Sequence, residues 1–335
     1  MTCWLRLSTI SYSLSIIPKM FPNFQLQQFL QTKKMSKKII FLIIILLSLQ
    51  SAFAQKSKPI KTITDAPTLN ERIQNETVNF SGKIWIYAKN LDTGKDYALR
   101  ADEQVRTAST IKLPIMAEVF RQVSQGKIAW TDEFTLKGKQ GGSGILGEFS
   151  ENTKIDLKTA TNLMIVVSDN TATNLILDKV SSNNVNDFMD SLGLKQTKSL
   201  RKIGGGGDAK ATDEPLNKLF GIGVSSPKDM VRLLEKLENG EVVSREASKE
   251  MIEILKRQQY KDGIGRGLLD TVPSASKSGA LDRLRSDVGI IYTRRGRIAM
   301  AITVDDMETV QYVPDNRGLL LIWRLSQILQ GGLAK

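Results

Sequence analysis

Ala108-Ser109-Thr110-Ile111-Lys112-Leu113-Pro114-Ile115-Met116-Ala117-Glu118-Val119-Phe120 is the stretch from which the rest of the chain can be read. Ile111, Ile115, Val119 and Phe120, with Met116 beside them, recur at helical spacing and predict a helix over 110–122. Pro114 lies inside that segment, removes one backbone hydrogen bond and predicts a bend. Ser109 and Lys112 are three apart, so a helix puts them on one face within reach of each other. Burial beside the core would lower the lysine's pKa and let it take the serine proton. The helix N-terminus adds amide groups that favour a developing oxyanion.

Upstream, 65–78 reads as a helix capped at Thr64 or Asp65. Lys83–Ala88 and Asp96–Leu99 read as a hairpin about the turn at 90–95. Downstream, strand signals thin out and helices are predicted at 156–167, 170–180, 183–192, 227–238 and 244–257. Two glycine-rich connections lie among them, Gly141–Gly144 and the long 202–223 stretch with Gly204–Gly207. A loop of that length is often functional. Strands return at 275–281, 288–293 and 297–304, and an apolar helix over 318–329 closes the chain. The order implies an α+β fold: an antiparallel β-sheet flanked by N- and C-terminal helices, with an inserted all-helical domain. Residues 55–124 plus 269–335 would form the α/β domain and 125–268 the helical one.

Composition excludes several chemistries. There is no histidine, so a Ser-His-Asp triad and a His-ligated metal site are both absent, and any nucleophile needs a lysine or carboxylate base. The single cysteine, Cys3, precedes a leader-like segment. That segment has a basic start at Met35-Ser36-Lys37-Lys38, an apolar run over 39–47 and a small-residue cut site at Ala52-Phe53-Ala54. The run is too short for a permanent membrane span. Residues 35–54 are therefore expected to be a signal peptide and 1–34 a start-site artefact, giving an exported enzyme, periplasmic or secreted. Six of the +12 net charges fall in the first 54 residues, and the remainder are interspersed with acids, so a nucleic-acid partner is not expected. A monomer acting on a small molecule without metal or cofactor is expected.

Ser-x-x-Lys alone is weak, because it also occurs at Ser124, Ser199, Ser225 and Ser274. Two further elements in order change this: Ser168-Asp169-Asn170 between two helical stretches, and Lys277-Ser278-Gly279 on a predicted strand. With this triple set and the Ala108–Pro114 segment, the chain resembles the class A serine β-lactamases over nearly all of residues 55–335. The resemblance implies β-lactam hydrolysis through a serine acyl-enzyme, and hence antibiotic resistance. By that likeness Ser109 attacks the lactam carbonyl, Lys112 relays its proton and Ser168 protonates the departing nitrogen. Asn170 meets the substrate's side-chain amide, Lys277 and Ser278 bind its carboxylate, and the amides of Ser109 and Ala280, beside Gly279, form the oxyanion hole.

Two departures from the family pattern stand out. The family's deacylating carboxylate precedes a Leu-Asn pair, here Leu216-Asn217. Either Asp213 or Glu214 can fill its slot, and Glu214 is preferred for its longer side chain and the Glu-Pro pair. Many relatives also carry an arginine on the strand after Lys-Ser-Gly. Val288 takes that place here, with Arg283 and Arg285 just before it as substitutes or as plain loop residues. A D,D-peptidase-like cell-wall hydrolase, or a relative that captures β-lactams with poor turnover, would share the same three motifs.

Overall fold

In a computed structural model, which describes residues 66–334, the chain enters helix α1 (Leu69–Thr77) through a reciprocal cap between Thr68 and Glu71. The Thr68 hydroxyl accepts from the Glu71 amide at 3.2 Å and the Glu71 carboxylate accepts from the Thr68 amide at 2.8 Å. The start is later than Asp65 because a residue preceding proline avoids helical backbone, and Pro67 intervenes. The expected signal peptide and the reading of residues 1–34 lie outside the described residues.

The strands are β1 (Lys83–Asn90), β2 (Asp96–Leu99), β3 (Val105–Arg106), β4 (Glu133–Thr135), β5 (Lys154–Asp156), β6 (Lys198–Ser199), β7 (Gly223–Ser225), β8 (Ser274–Leu281), β9 (Leu284–Thr293) and β10 (Gly296–Asp305). The further helices are α2 (Lys112–Ser124), α3 (Leu157–Val166), α4 (Asn170–Val180), α5 (Ser182–Ser191), α6 (Pro227–Glu238), α7 (Arg245–Lys256) and α8 (Arg317–Leu333). An antiparallel sheet runs β2-β1-β10-β9-β8, so early and late strands pair directly, as the sequence order implied.

The sheet is buried on both faces, and alternation decides which side chain goes where. On β10, Ile298, Met300, Ile302 and Val304 face Ile73 of α1 and Leu321, Ile322, Leu325 and Leu329 of α8. Ala299 and Ala301 turn the other way, into a core shared with α2, α3, α6 and α7. Burial on both sides is why β10 reads as a continuous apolar run. α8 runs beyond the expected 329 through Gly331 and Gly332, and the second glycine packs against Leu69. A methyl at 332 would come within 2.5 Å of the Leu69 side chain, so its absence lets α1 and α8 cross closely.

α2 is buried from Lys112 to Phe120 and stands between the sheet and helices α3–α5. Its buried turns are mostly apolar, and the buried Glu118 is answered by Arg121 and Gln122. Pro114 falls in the first turn of α2, where a proline is tolerated, so the bend expected there has no missing mid-helix bond to drive it. Among the described residues no helix is long and apolar enough to cross a membrane.

Candidate active site

The site gathers where α2, the turn before α4 and the edge strand β8 meet. Ala108–Ile111 forms one turn of 3-10 helix that runs directly into α2. Ala108 holds φ +47°, a left-handed conformation that costs a non-glycine residue roughly 1–3 kcal/mol. Ser109 is left part-exposed while Ala108, Thr110, Ile111 and Lys112 are buried. β8 presses on this turn: a methyl on Gly279 would sit 2.8 Å from the Thr107 carbonyl oxygen and 3.1 Å from the Ser109 amide nitrogen. Only glycine allows that approach, and it brings Ser278 and Ala280 alongside the serine.

Ser168, at φ +54°, is buried at the end of the α3–α4 connection. Its hydroxyl accepts from Lys112 Nζ at 3.2 Å and from Lys277 Nζ at 3.0 Å. Lys112 Nζ also donates to the Ser168 carbonyl at 2.6 Å and to Asn170 Oδ1 at 2.8 Å. Lys277 Nζ donates to the Ser278 carbonyl at 2.8 Å. Both lysines are fully buried. Burial first, and then the neighbouring Lys277 charge, push the Lys112 amine well below the ordinary lysine range, with Asp169 opposing. Burial lowers Lys277 to about 7, with Asp287 opposing. Two amines so depressed, meeting at one hydroxyl, form a ready path for a proton. Among the described residues no hydrogen bond joins the Ser109 hydroxyl to Lys112, whose donors are turned to Ser168 and Asn170.

Asp169 builds the turn that carries Ser168 and Asn170. One carboxylate oxygen caps α4 by accepting from the Ala172 amide at 2.8 Å; the other accepts from the Ile145 and Leu146 amides at 2.7 and 2.8 Å. The Gly141–Gly144 loop is thereby docked onto the motif. Asn170 adds its amide to the Ser143 carbonyl and its Nδ2 to the Gly141 carbonyl, each at 2.9 Å. A methyl on Gly144 would fall 2.2 Å from the Asp169 carboxylate. We expect Asp169→Ala to destabilise the protein by about 3 kcal/mol, since a cap and two further charge-assisted bonds are lost in a buried setting. Urea denaturation reads this directly, and a midpoint indistinguishable from the parent would contradict the account.

Other expected site residues stand apart. Asp213 and Glu214 are exposed where two 3-10 turns (Lys210–Asp213 and Pro215–Phe220) meet. Among the described residues neither carboxylate hydrogen-bonds to Ser109, Lys112 or Asn170. Asn217 is buried and holds the loop instead, its Nδ2 donating to the Ala211 carbonyl at 2.7 Å and its amide to the Glu214 carbonyl at 3.0 Å. Arg283 is exposed and donates to the carbonyls of Asp306 and Met307. Arg285 is buried, not a loop residue, and donates to the carbonyls of Leu281, Leu284 and Gln311 beneath the Tyr312 ring. Both guanidinium groups are thus committed to backbone carbonyls. Val288 is buried opposite Lys277, and Asp287 lies opposite Ser278. Asp287 has no motif of its own, and the Arg285-Ser286-Asp287 stretch in which it stands carries no strand signal.

Comparison with known proteins gives the family and the fold. Residues 68–331 match the model of a family described as "Beta-lactamase enzyme family". "Beta-lactamase 3" of Bacillus cereus is 25% identical over 241 residues, 70% of this chain and 73% of the relative. A β-lactamase structure from Sphaerobacter thermophilus superposes with a TM-score of 0.69 at 28% identity, covering 79% of this chain and 96% of that one. A mutant of PBP-A, solved as an acyl-enzyme complex with penicillin G, gives a TM-score of 0.68 at 25% identity over 79% of this chain and 98% of that one.

Proposed function

From the premise that this chain belongs to the β-lactamase enzyme family, we propose a division of labour among its residues in β-lactam hydrolysis. The Ser109 oxygen attacks the lactam carbonyl carbon while its proton passes to Lys112. The ring C–N bond then breaks; Ser168 gives its proton to the departing nitrogen and takes one back from Lys112, leaving an ester on Ser109 and a neutral amine on Lys112. Water cleaves that ester and restores the serine. The supporting observation is the Ser168 hydroxyl, bonded to by both Lys112 and Lys277. It connects the base beside the nucleophile to the amine that meets the substrate carboxylate with Ser278. Asn170 holds the substrate's side-chain amide, and Ser109 and Ala280 supply oxyanion amides beside Gly279. The sheet with its terminal helices and the helices drawn from 125–268 act as two parts about this cleft. The leader-like sequence at 35–54 supports export, periplasmic or secreted, and there we place a monomer that confers resistance.

Glu214 is assigned the deacylation step, with Asn217 bracing its loop. Mass spectrometry of the protein mixed with penicillin tests this. Glu214→Gln should accumulate a covalent adduct on Ser109 while Asp213→Asn turns over normally. Equal turnover in Glu214→Gln and the parent would remove Glu214 from the mechanism. A second reading rests on the exposure of Glu214 and its lack of a bond to Lys112 or Asn170: acylation followed by slow release, as in a cell-wall peptidase or a capturing protein. A parent adduct that persists for hours would favour it.

A further inference from the structure

Thr107 heads the single 3-10 turn that presents Ser109, and its side chain is unusual for that place. A threonine at the head of a helical turn ordinarily offers its hydroxyl to an amide of the first turn. Thr107 has helical backbone instead, φ −81° and ψ −26°, and its hydroxyl caps nothing. The residue is 2% exposed, and Oγ1 is buried without a hydrogen-bond partner. Its other polar groups are answered. The amide donates to the Gly223 carbonyl at 3.1 Å, and the carbonyl accepts from the Thr110 amide at 3.1 Å and the Thr110 hydroxyl at 2.8 Å. Room for the hydroxyl comes from Gly223, where a methyl would fall 2.8 Å from Oγ1.

A buried hydroxyl left unpaired is costly, and such groups are as a rule bonded to protein or to ordered water. Thr107 borders a cavity of about 10 Å³, whose wall also includes Ser225, Ser286 and Thr303. That is about the room one water molecule needs, provided that it finds two or more polar partners. Ser225 is committed elsewhere, to Thr197 Oγ1 at 2.8 Å and to the Ser226 carbonyl at 3.2 Å. Ser286 and Thr303 face each other across β9 and β10 with their hydroxyls 2.8 Å apart. Whichever of the two donates, the other keeps a hydrogen with no acceptor among the described residues. The wall thus holds one hydroxyl without a partner and one hydroxyl hydrogen without an acceptor.

We propose that a single buried water molecule is built into the nucleophile turn, bonded to Thr107 Oγ1 and to the Ser286–Thr303 pair, so that it ties the turn to the sheet behind Ser109. Thr107 is then a positioning residue. Ala108, next along the chain, holds its left-handed φ of +47°, and a strained residue keeps such a conformation only where its surroundings fix it. The water supplies the last bond that fixes Thr107, and through Ala108 it sets where the Ser109 oxygen and amide stand. The consequence for catalysis rests on Ser109 being the nucleophile, as assigned above; the presence of the water does not.

Thr107→Val and Thr107→Ser, assayed side by side, separate the hydroxyl from the packing. Valine keeps the shape and loses the hydroxyl, whereas serine keeps the hydroxyl and loses a methyl. Thr107→Val should lower kcat on a chromogenic cephalosporin about tenfold with KM within about twofold, because the geometry of attack is disturbed and the substrate contacts are not. Thr107→Ser should stay within about twofold of the parent in both constants. Packing alone predicts the reverse order, and a valine variant as active as the parent, or more active than the serine one, would overturn the proposal.

A high-resolution crystal structure of the parent gives a check that needs neither variant to fold. It should show a water within hydrogen-bond distance of Thr107 Oγ1 and of Ser286 Oγ or Thr303 Oγ1, and a dry cavity overturns the idea. Failure of the underlying assignment looks different: Ser109→Ala would still turn over substrate while the water stays in place.

Discussion

Replacing Ser109 by alanine should cut hydrolysis of a chromogenic cephalosporin by about 10⁴-fold or more, in line with the loss of a nucleophile in other serine hydrolases. The chain offers no substitute. It has no histidine, and its one cysteine lies at position 3, far upstream of the catalytic segment. Stability should change by less than about 0.5 kcal/mol, because the Ser109 hydroxyl is part-exposed and makes no hydrogen bond among the described residues. Initial rates and a denaturation curve on the same sample check both halves. Residual turnover within tenfold of the parent would show that the acyl group is carried elsewhere.

Replacing Lys112 by methionine should lower kcat/KM by about 10²- to 10⁴-fold, the usual worth of a general base. Methionine keeps an apolar stem in the core, so activity and packing are separated. Stability should respond to pH in a way that identifies the amine. In the unfolded chain Lys112 binds its proton up to the ordinary lysine value; in the fold, burial and the Lys277 charge release it much earlier. Between those two points the unfolded state holds more protons, so the parent gains stability as pH rises, by up to about 1.4 kcal/mol per unit. The variant lacks that gain. Its stability relative to the parent should therefore fall as pH rises toward the ordinary lysine value. Parallel stability profiles for the two proteins would mean that Lys112 stays charged in the fold and cannot be the base.

Much of this was legible in the sequence because local rules and tertiary needs coincide. α4 begins at Asn170 as read, since Asp169 both caps it and belongs to the motif. β10 is apolar on both faces and could hardly be anything but a central strand. β9 was harder. It starts at Leu284, four residues before the predicted 288, because Arg285, Ser286 and Asp287 carry no strand signal. Pairing with β8 and β10 imposes the strand there. The two- and three-residue strands β3, β6 and β7 exist only as partners to one another and have no pattern of their own. The three motifs announced the residues around Ser168, but no spacing rule says that two lysines will donate to one hydroxyl. The fate of Arg285 was equally hidden, because its acceptors at Leu281, Leu284 and Gln311 are backbone atoms that any sequence would offer. For Glu214, a slot in a motif did not translate into a bond within the site.

The seam between Gly144 and Asp169 also constrains how this protein can change over generations. No side chain fits at 144 without evicting the carboxylate that shapes the Ser168–Asn170 turn, so variants there are expected to lose the fold. Ile145, one step along the same loop, is 43% exposed and meets Asp169 through its backbone amide, which any side chain but proline keeps. Diversity at this rim should be tolerated at 145 and lost at 144, a pattern that saturation libraries at the two codons would reveal side by side.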